Sequence, residues 1–395
     1  MSTIIRYDEL TWPEVAGLPR DLPMVVPLGL GEYDLTAAAQ ALDTDRLCLL
    51  PAIPYGFRRT DNDWLGKLAV GPGLLRRVLL GVQRELKAQR FGRVVFLNGH
   101  GDQGVKSRGL EIIGCPTSSS CPPSNLQPLP LSAAKGPISN QVVVIGVGHT
   151  EQHGYHLPLS TDTLIVQAIL SGLSEALPGD VFSLPVWPYG VSTHTRQFPA
   201  TLNLGGRVFE DFMVALIGRL VAQGVEMIYF QNGHGGNHSF LVNVVKYASD
   251  RWPGVFTATE FLYLSGADGV AALEKYRQSP RGGMGHGCEL ETSLILHLRP
   301  ELVHMEKATD ELDFVSTPNY YMDWIESGSL IANPPWTDDT LSGVYGAGTL
   351  GTAEKGRLWL EAAIAEKMAR MAEVHEQHER RKARRKRLEK RCQFR

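Results

Sequence analysis

The sequence predicts an α/β fold, a layered α/β/α arrangement built on a mostly parallel sheet. Through residues 141–375, short apolar runs such as Val142-Val143-Val144-Ile145 and Met227-Ile228-Tyr229-Phe230 alternate with longer stretches of helical spacing. That is the order expected of strands joined by crossover helices. A polar cluster comes directly after these runs, where the carboxyl end of a buried parallel strand opens on a cleft.

Composition sets the outer bounds. The chain has 395 residues, 43% of them hydrophobic, and a formal net charge of −3. This is enough for two domains with substantial cores and shows no overall bias toward nucleic acid. No apolar run reaches membrane-spanning length, and the first residues lack the features of a signal peptide. Five dispersed cysteines without C-x-x-C spacing fit a reducing compartment. A cytoplasmic enzyme acting on a small molecule, with no membrane partner, is the expectation.

Residues 1–115 read as a partial copy of residues 141–375. Pro51-Ala52-Ile53-Pro54-Tyr55-Gly56 matches Pro185 to Gly190, and Val95 to Gly101 matches Tyr229 to Gly235, both at an offset of 134 residues. Leu74-Leu75-Val78-Leu79 falls on Val208-Phe209-Phe212-Met213 at the same offset, so one strand, helix, strand unit occurs twice. Val25 to Gly29 echoes the strand before Glu151. The first copy keeps His100 but offers only Glu32 and Asp34 on the turn after Gly29. It has no equivalent of the strand near Val255-Phe256-Thr257 or of the helix after His286. A degenerate, non-catalytic copy that packs against the second or against another subunit is expected. Residues 116–140, with six prolines and Ser118-Ser119-Ser120, read as a linker without a core.

The chemistry is concentrated in residues 141–375. Glu151-Gln152-His153-Gly154-Tyr155-His156-Leu157-Pro158-Leu159-Ser160-Thr161-Asp162 brings two carboxylates and an imidazole together just after a strand, the donor set a divalent metal needs. Asn232-Gly233-His234-Gly235-Gly236-Asn237 adds His234 on a loop whose glycines permit a tight turn. Gly285 to Ser293 adds His286, Glu289 and Glu291. Eight of the twelve histidines lie between His149 and His297. Two cations roughly 3.5 Å apart share a hydroxide, lower its pKa toward neutrality and polarise the carbonyl it attacks, so these clusters imply a dinuclear metal hydrolase.

Individual roles are set by position. Asp162 stands ahead of Leu164-Ile165-Ala168-Ile169 and is expected at a helix start, held by a capping hydroxyl from Ser160 or Thr161. Protonation of a leaving nitrogen falls to His286, with Glu291 or Glu289 as alternatives. In a helix starting near Cys288 those two glutamates point about 200° apart, so at most one readily faces the metals. His156 reads as support behind the ligands, and Asn232 and Asn237 as bracing the His234 loop. Thr193 and His194 either line the substrate mouth or order their loop. Cys288 reads as a buried thiol.

These motifs resemble the creatininase family of metal-dependent amidohydrolases. The likeness runs from about Val142 to Val303 and rests on EQHGYHLPLSTD, on PYGVSTHTRQFPATLNL from Pro188 to Leu204, on NGHGGN and on HGCELETS. The resemblance implies two adjacent divalent ions, zinc, manganese or iron, with Glu151 and His234 on one, His153 on the other and Asp162 bridging both. It also implies a ring-like homo-oligomer. The chain departs from the creatinine-hydrolysing pattern at Gly236, where those enzymes have a glutamate, and Glu291 is the best substitute ligand. Tryptophans that enclose creatinine have no clear counterparts near Gly282.

At the carboxyl end, Leu358 to Met371 reads as an amphipathic helix and 376–395 as a basic tail. Arg380 to Arg395 carries ten Lys or Arg against Glu389 alone. Such a tail suits nucleic acid or an anionic surface, but no aromatic is interleaved before Phe394, so a solvated helical extension is expected. The function expected of the whole is hydrolysis of a C–N bond in a cyclic amide, formamide or small peptide-like substrate. The alternatives are ring opening of a cyclic polyhydroxy diketone, of inositol-derived type, and a metal-binding protein that has lost catalysis.

Overall fold

The computed structural model describes residues 2–30, 33–58, 67–100, 105, 108–114, 140–325 and 328–392. The proline-rich stretch expected as a linker lies outside the described residues except for Asn140, and so does Glu32.

The first half forms a parallel sheet from β1 (Thr3–Arg6), β2 (Met24–Leu28), β3 (Arg46–Leu49), β4 (Val94–Asn98) and β5 (Glu111–Gly114), in the order β1-β3-β2-β4-β5. The second half forms another from β6 (Val142–Val147), β7 (Val181–Trp187), β8 (Met227–Asn232) and β9 (Phe256–Thr259), in the order β7-β6-β8-β9. Leaving out β1, the two orders are the same. The strand expected to be missing from the first half is therefore present as β5. Its four residues, paired on Val95 to Asn98, are too short to give a periodic signal in the sequence.

Helices cover both faces of each sheet, as the α/β/α reading requires. Val143, Ile145 and Val147 of β6 point into a core shared with Met24, Val26 and Leu28 of β2. Between the two sheets lie α3 (Pro72–Ala88), α5 (Gly206–Val221) and α6 (His238–Arg251). Val142 and Val144 face the other way, toward α4 (Thr161–Ala176) and the long α9 (Ala353–Cys392). Val25 and Val95 face α2 (Leu35–Ala41). Burial on both faces is why these strands read as unbroken apolar runs rather than alternating ones.

Three short strands, β10 (Met284–His286), β11 (Asp310–Glu311) and β12 (Tyr345–Ala347), form an antiparallel sheet in the order β10-β12-β11. They place His286 beside the carboxyl ends of β6 and β8. Two more helices, α7 (Ala267–Tyr276) and α8 (Glu289–Leu298), complete this side, and α8 packs on α9. The basic segment after residue 376 is a continuation of α9, with His378 and Lys382 bonded to Glu226 at 3.0 and 2.6 Å. No helix among the described residues is long and apolar enough to cross a membrane.

The segment after β1 docks on the second half. Asp8 O accepts from the Ser160 amide at 3.0 Å and hydroxyl at 2.8 Å, and Leu10 O from the Leu159 amide at 2.9 Å. In α1 (Trp12–Ala16), the Trp12 indole donates to Ser342 O at 2.8 Å. This revises the expected helix cap at Asp162. Ser160 is the N-cap of α4, but its hydroxyl goes to Asp8 and Thr161 Oγ1 to Pro158 O, so neither caps the helix by its side chain.

Candidate metal centre

Three carboxylates meet at the carboxyl ends of β6 and β8. Glu151 follows β6, Asp162 sits in the first turn of α4 and Glu291 in the first turn of α8, and all three are buried. Among the described residues, no lysine or arginine pairs with any of them; the titratable groups beside them are imidazoles. Carboxylates buried without a cation are costly, and a metal ion is the usual remedy.

Backbone bonds set which imidazole nitrogen faces the centre. His153 Nδ1 lies 3.1 Å from Glu151 O and His234 Nε2 lies 3.1 Å from Val191 O. His286 Nε2 lies 2.7 Å from Gln152 O. A carbonyl only accepts, so each of these nitrogens carries a proton and the other is the one turned inward, able to present a lone pair to a cation that takes the place of its own proton. His153 Nε2 then sits 3.1 Å from Asp162 Oδ1 and 3.7 Å from Glu291 Oε1. His234 Nδ1 sits 2.9 Å from Glu151 Oε1 and 3.5 Å from Asp162 Oδ2, and His286 Nδ1 lies 3.7 Å from Glu151 Oε1. Asp162 Oδ2 receives no hydrogen bond, although it is fully enclosed. The ligand atoms fall into overlapping triads: His149, Glu151 and His234; Glu151, His153 and His286; His153, Asp162 and Glu291. This donor set fits divalent cations.

Proton affinities reflect the crowding of negative charge. Burial disfavours the His153 imidazolium, but Asp162 and Glu291 outweigh it and hold the pKa well above the usual value. Burial raises Asp162 to about 6, against the pull of His153. Burial likewise opposes ionisation of Glu151, yet His234, His286 and His149 keep its pKa well below the usual range. Burial and the neighbouring His153 lower His286 to about 4. At neutral pH that ring offers a lone pair, so an acid role requires it to take up a proton within the catalytic cycle.

The structure separates the remaining residues. Glu289 turns away from the centre, accepting from Lys355 Nζ at 2.5 Å and from the Gln278 and Ser279 amides. His156 Nε2 lies 2.8 Å from Thr292 Oγ1, behind the ligands. Asn232 Oδ1 accepts from the His234 amide while its Nδ2 donates to His234 O, which fixes the backbone on both sides of that ring. Asn237 ties the same loop to Val191 and Gly148. Cys288 is buried at the N-cap of α8.

A side chain is excluded at Gly236. A Cβ there would lie 2.3 Å from Val191 O and 2.4 Å from His234 Nε2, so a glutamate cannot enter without displacing the ring it would assist. Glu291 Oε1 faces the centre, and its Oε2 accepts from the Gly287 amide at 2.6 Å. In the first half, His100 is packed beside Phe57 with ring centroids 5.3 Å apart, and among the described residues it belongs to no triad of ligand atoms.

Three features escaped the sequence reading. His149 Nδ1 accepts from the Gly190 amide at 2.8 Å, so its Nε2 carries the proton and points toward Glu151 Oε2 from 3.9 Å, beyond hydrogen-bond reach. Thr195 donates to Glu151 Oε2 at 3.2 Å. Trp336 packs on His194 and His286, with centroids 4.5 and 4.9 Å away. Only His149, two residues past β6, had a positional signal. A cavity of about 630 Å³ opens over Asp162, His234, His286 and Glu291, and Trp336, Phe261, Trp324 and Ile331 line its walls. His194 also lines it, on the substrate side of its loop.

The chain is 32% identical over 170 residues to a mycofactocin precursor peptide peptidase of Mycobacterium ulcerans, covering 41% of this chain and 60% of that protein. It is 27% identical over 249 residues to a 3-dehydro-scyllo-inosose hydrolase of Thermotoga maritima, covering 58% and 76%. The match to the peptidase thus spans about three fifths of that relative's length. A crystal structure of creatinine amidohydrolase superposes with a TM-score of 0.51 at 23% identity, over 59% of this chain and 90% of that one, and so shares the fold. The creatinine amidohydrolase (creatininase) sequence pattern matches residues 8–107 and 133–371, and the chain belongs to the creatininase family.

Proposed function

We propose that this chain is a metal-dependent hydrolase that cleaves a C–N bond in an amide of a bulky, largely apolar substrate. The observation that carries the reading is the meeting of three buried carboxylates, unpaired by any lysine or arginine among the described residues, with three imidazoles that each turn one ring nitrogen toward them while a backbone carbonyl holds the other. Glu151 and His234 would hold one cation, His153 and Glu291 the other, and Asp162 would bridge them. His286 Nδ1 adds a sixth inward donor. Zinc, manganese or iron bound there would activate water and polarise a carbonyl. The protein's own contribution is to fix the donors through backbone carbonyls, to keep a neutral His149 N–H turned toward Glu151, and to brace His286 and His194 against Trp336.

The larger part of the cavity wall is apolar, with Trp336, Phe261, Trp324 and Ile331, which suits an amide carrying an apolar side group; Thr193, Ser239 and Asn333 line it too, and a ring bearing several hydroxyls would bond to them. About 630 Å³ also exceeds what a molecule as small as creatinine fills, which supports a formamide, lactam or peptide-like substrate with an apolar side group. The first half is read as non-catalytic, since among the described residues His100 stands outside the ligand triads.

The test is metal analysis of the purified chain together with a hydrolysis screen over lactams, formamides, short peptides and cyclic ketones. Bound metal with turnover of an amide is the expected result. Bound metal without turnover of any substrate selects the reading that catalysis has been lost, and turnover of cyclic ketones alone selects ring opening.

A further inference from the structure

We propose that Gln89, in the first half, is a positioning residue for the metal centre, holding the turn at Ala200 from which a hydroxyl chain reaches Glu151. The inference rests on the reading of Glu151 as a metal ligand.

Gln89 immediately follows α3 and reaches across to the second half. Its Oε1 accepts from the Ala200 amide at 2.9 Å and its Nε2 donates to Thr201 O at 3.3 Å. The Tyr7 hydroxyl, from the docked amino-terminal segment, lies 3.1 Å from Ala200 O and 3.3 Å from Gln89 Oε1. Ala200 is fully buried and has φ of 78°. A residue with a Cβ rarely holds that conformation unless its surroundings impose it. The bonds to the amide and carbonyl of Ala200 itself come from Gln89 and Tyr7, both outside the second half, while Leu202 N, two residues on, bonds Thr150 O within it. Arg84 and Glu85, one turn earlier on α3, grip the same loop through Asn203 O and Arg196.

The loop transmits this grip to the centre. The Gln152 amide lies 3.3 Å from Thr201 Oγ1, Thr201 Oγ1 lies 3.2 Å from Thr195 Oγ1, and Thr195 Oγ1 lies 3.2 Å from Glu151 Oε2. An N–H at one end can only donate and a carboxylate at the other only accepts. Each hydroxyl therefore accepts from the amide side and donates toward Glu151. This chain of bonds occupies Oε2 and leaves Oε1 for the cluster with His234 and His286. Rotating the Ala200 turn would move Thr201, let Thr195 reorient and free the Glu151 carboxylate to swing. The first half thus acts on the metal centre without contributing a ligand to it.

The experiment uses the full chain and its Gln89→Ala variant, with manganese and zinc affinity measured by chelator competition and amide hydrogen exchange followed over residues 195–203. Gln89→Ala is expected to bind metal about tenfold more weakly, the lower end of what loss of an outer partner costs, and to exchange faster through the loop. Adding Ala200→Gly should restore much of the affinity, because glycine holds φ near 78° without a Cβ penalty. Gln89→Glu, which keeps the acceptor for Ala200 and folds with less disturbance, should fall between wild type and Gln89→Ala. Arg77→Ala, at the same contact between halves but away from the loop, should leave metal affinity unchanged. The inference is overturned if the wild type binds metal and Gln89→Ala binds it equally tightly, if Arg77→Ala weakens it as much, or if Ala200→Gly restores nothing. A wild-type chain that binds neither metal overturns the reading of the site and this inference together.

Discussion

Arg77 Nη1 on α3 meets Asp211 Oδ2 on α5 at 2.7 Å, and the two positions are 134 residues apart, the offset that aligns the recurring motifs. A position touches its own equivalent only close to a twofold axis, so α3 and α5 pack as two subunits of a symmetric dimer would. Tyr55 stacks on Phe212 and lies against Trp187 in the same contact, with centroids 6.4 and 5.6 Å away. The ion pair is about half exposed on both sides and Tyr55 is fully buried. Arg77→Ala should therefore change unfolding free energy by less than about 1 kcal/mol, whereas Tyr55→Ala should cost about 3–5 kcal/mol in urea titration. Equal losses would mean that the contact between halves is not held by its aromatic core.

Asp162→Ala should abolish hydrolysis and lower bound metal by more than one equivalent, because both its oxygens face the cluster, one toward His153 and one toward His234. The readout is metal content by elemental analysis beside turnover. Retention of two tightly bound metals would remove Asp162 from the bridging position.

Glu291→Gln and Glu289→Gln should separate cleanly despite being two residues apart. The first is expected to lose the second metal and most turnover. The second should keep both but weaken the bond between α8 and α9, since Glu289 is held by Lys355; breaking such a buried pair costs about 3–5 kcal/mol at most. Thermal unfolding and metal titration on both variants decide the matter, and a Glu289→Gln chain that sheds metal would reverse the assignment.

Gly236→Glu should not rebuild a creatininase-like ligand set. The new side chain would displace His234 Nε2 or Val191 O, which lie 2.4 and 2.3 Å from its Cβ. Metal affinity is expected to drop at least tenfold, in the range seen when a ligand's orientation is disturbed. A gain in affinity would show that the loop yields.

Stability should depend on pH through Asp8. Burial, reinforced by Glu9, raises its carboxyl from 3.8 to about 6. The folded chain then binds a proton that the unfolded chain has lost between those values, so stability falls as pH rises from about 4 to 6 and stays lower above that window. Asp8→Asn removes the part of the dependence that Asp8 contributes beside Asp162, and should stabilise the chain by about 1–3 kcal/mol at pH 8, with little effect near pH 4. An equal difference at both pH values, measured by chemical denaturation, would rule out Asp8 as the source.

Much of the centre was legible in the sequence because its parts are local. Buried parallel strands leave unbroken apolar runs, the polar residues just after β6 and β8 must lie at one end of the sheet, and that places Glu151, His153, Asp162 and His234 together. Helical geometry alone allowed only one of Glu289 and Glu291 to face the cleft. Packing decided which one, through Lys355 on a distant helix. Packing also decided that His149 accepts from the Gly190 amide and turns its N–H toward Glu151, that Trp336 lines the cavity, and that a glutamate has no room at Gly236. The bond from Gln89 to Ala200 spans 111 residues and leaves no periodic or compositional trace. Spacing along a chain determines which face of an element a side chain shares with its neighbours, but the direction of a hydrogen bond between distant elements exists only once those elements have packed.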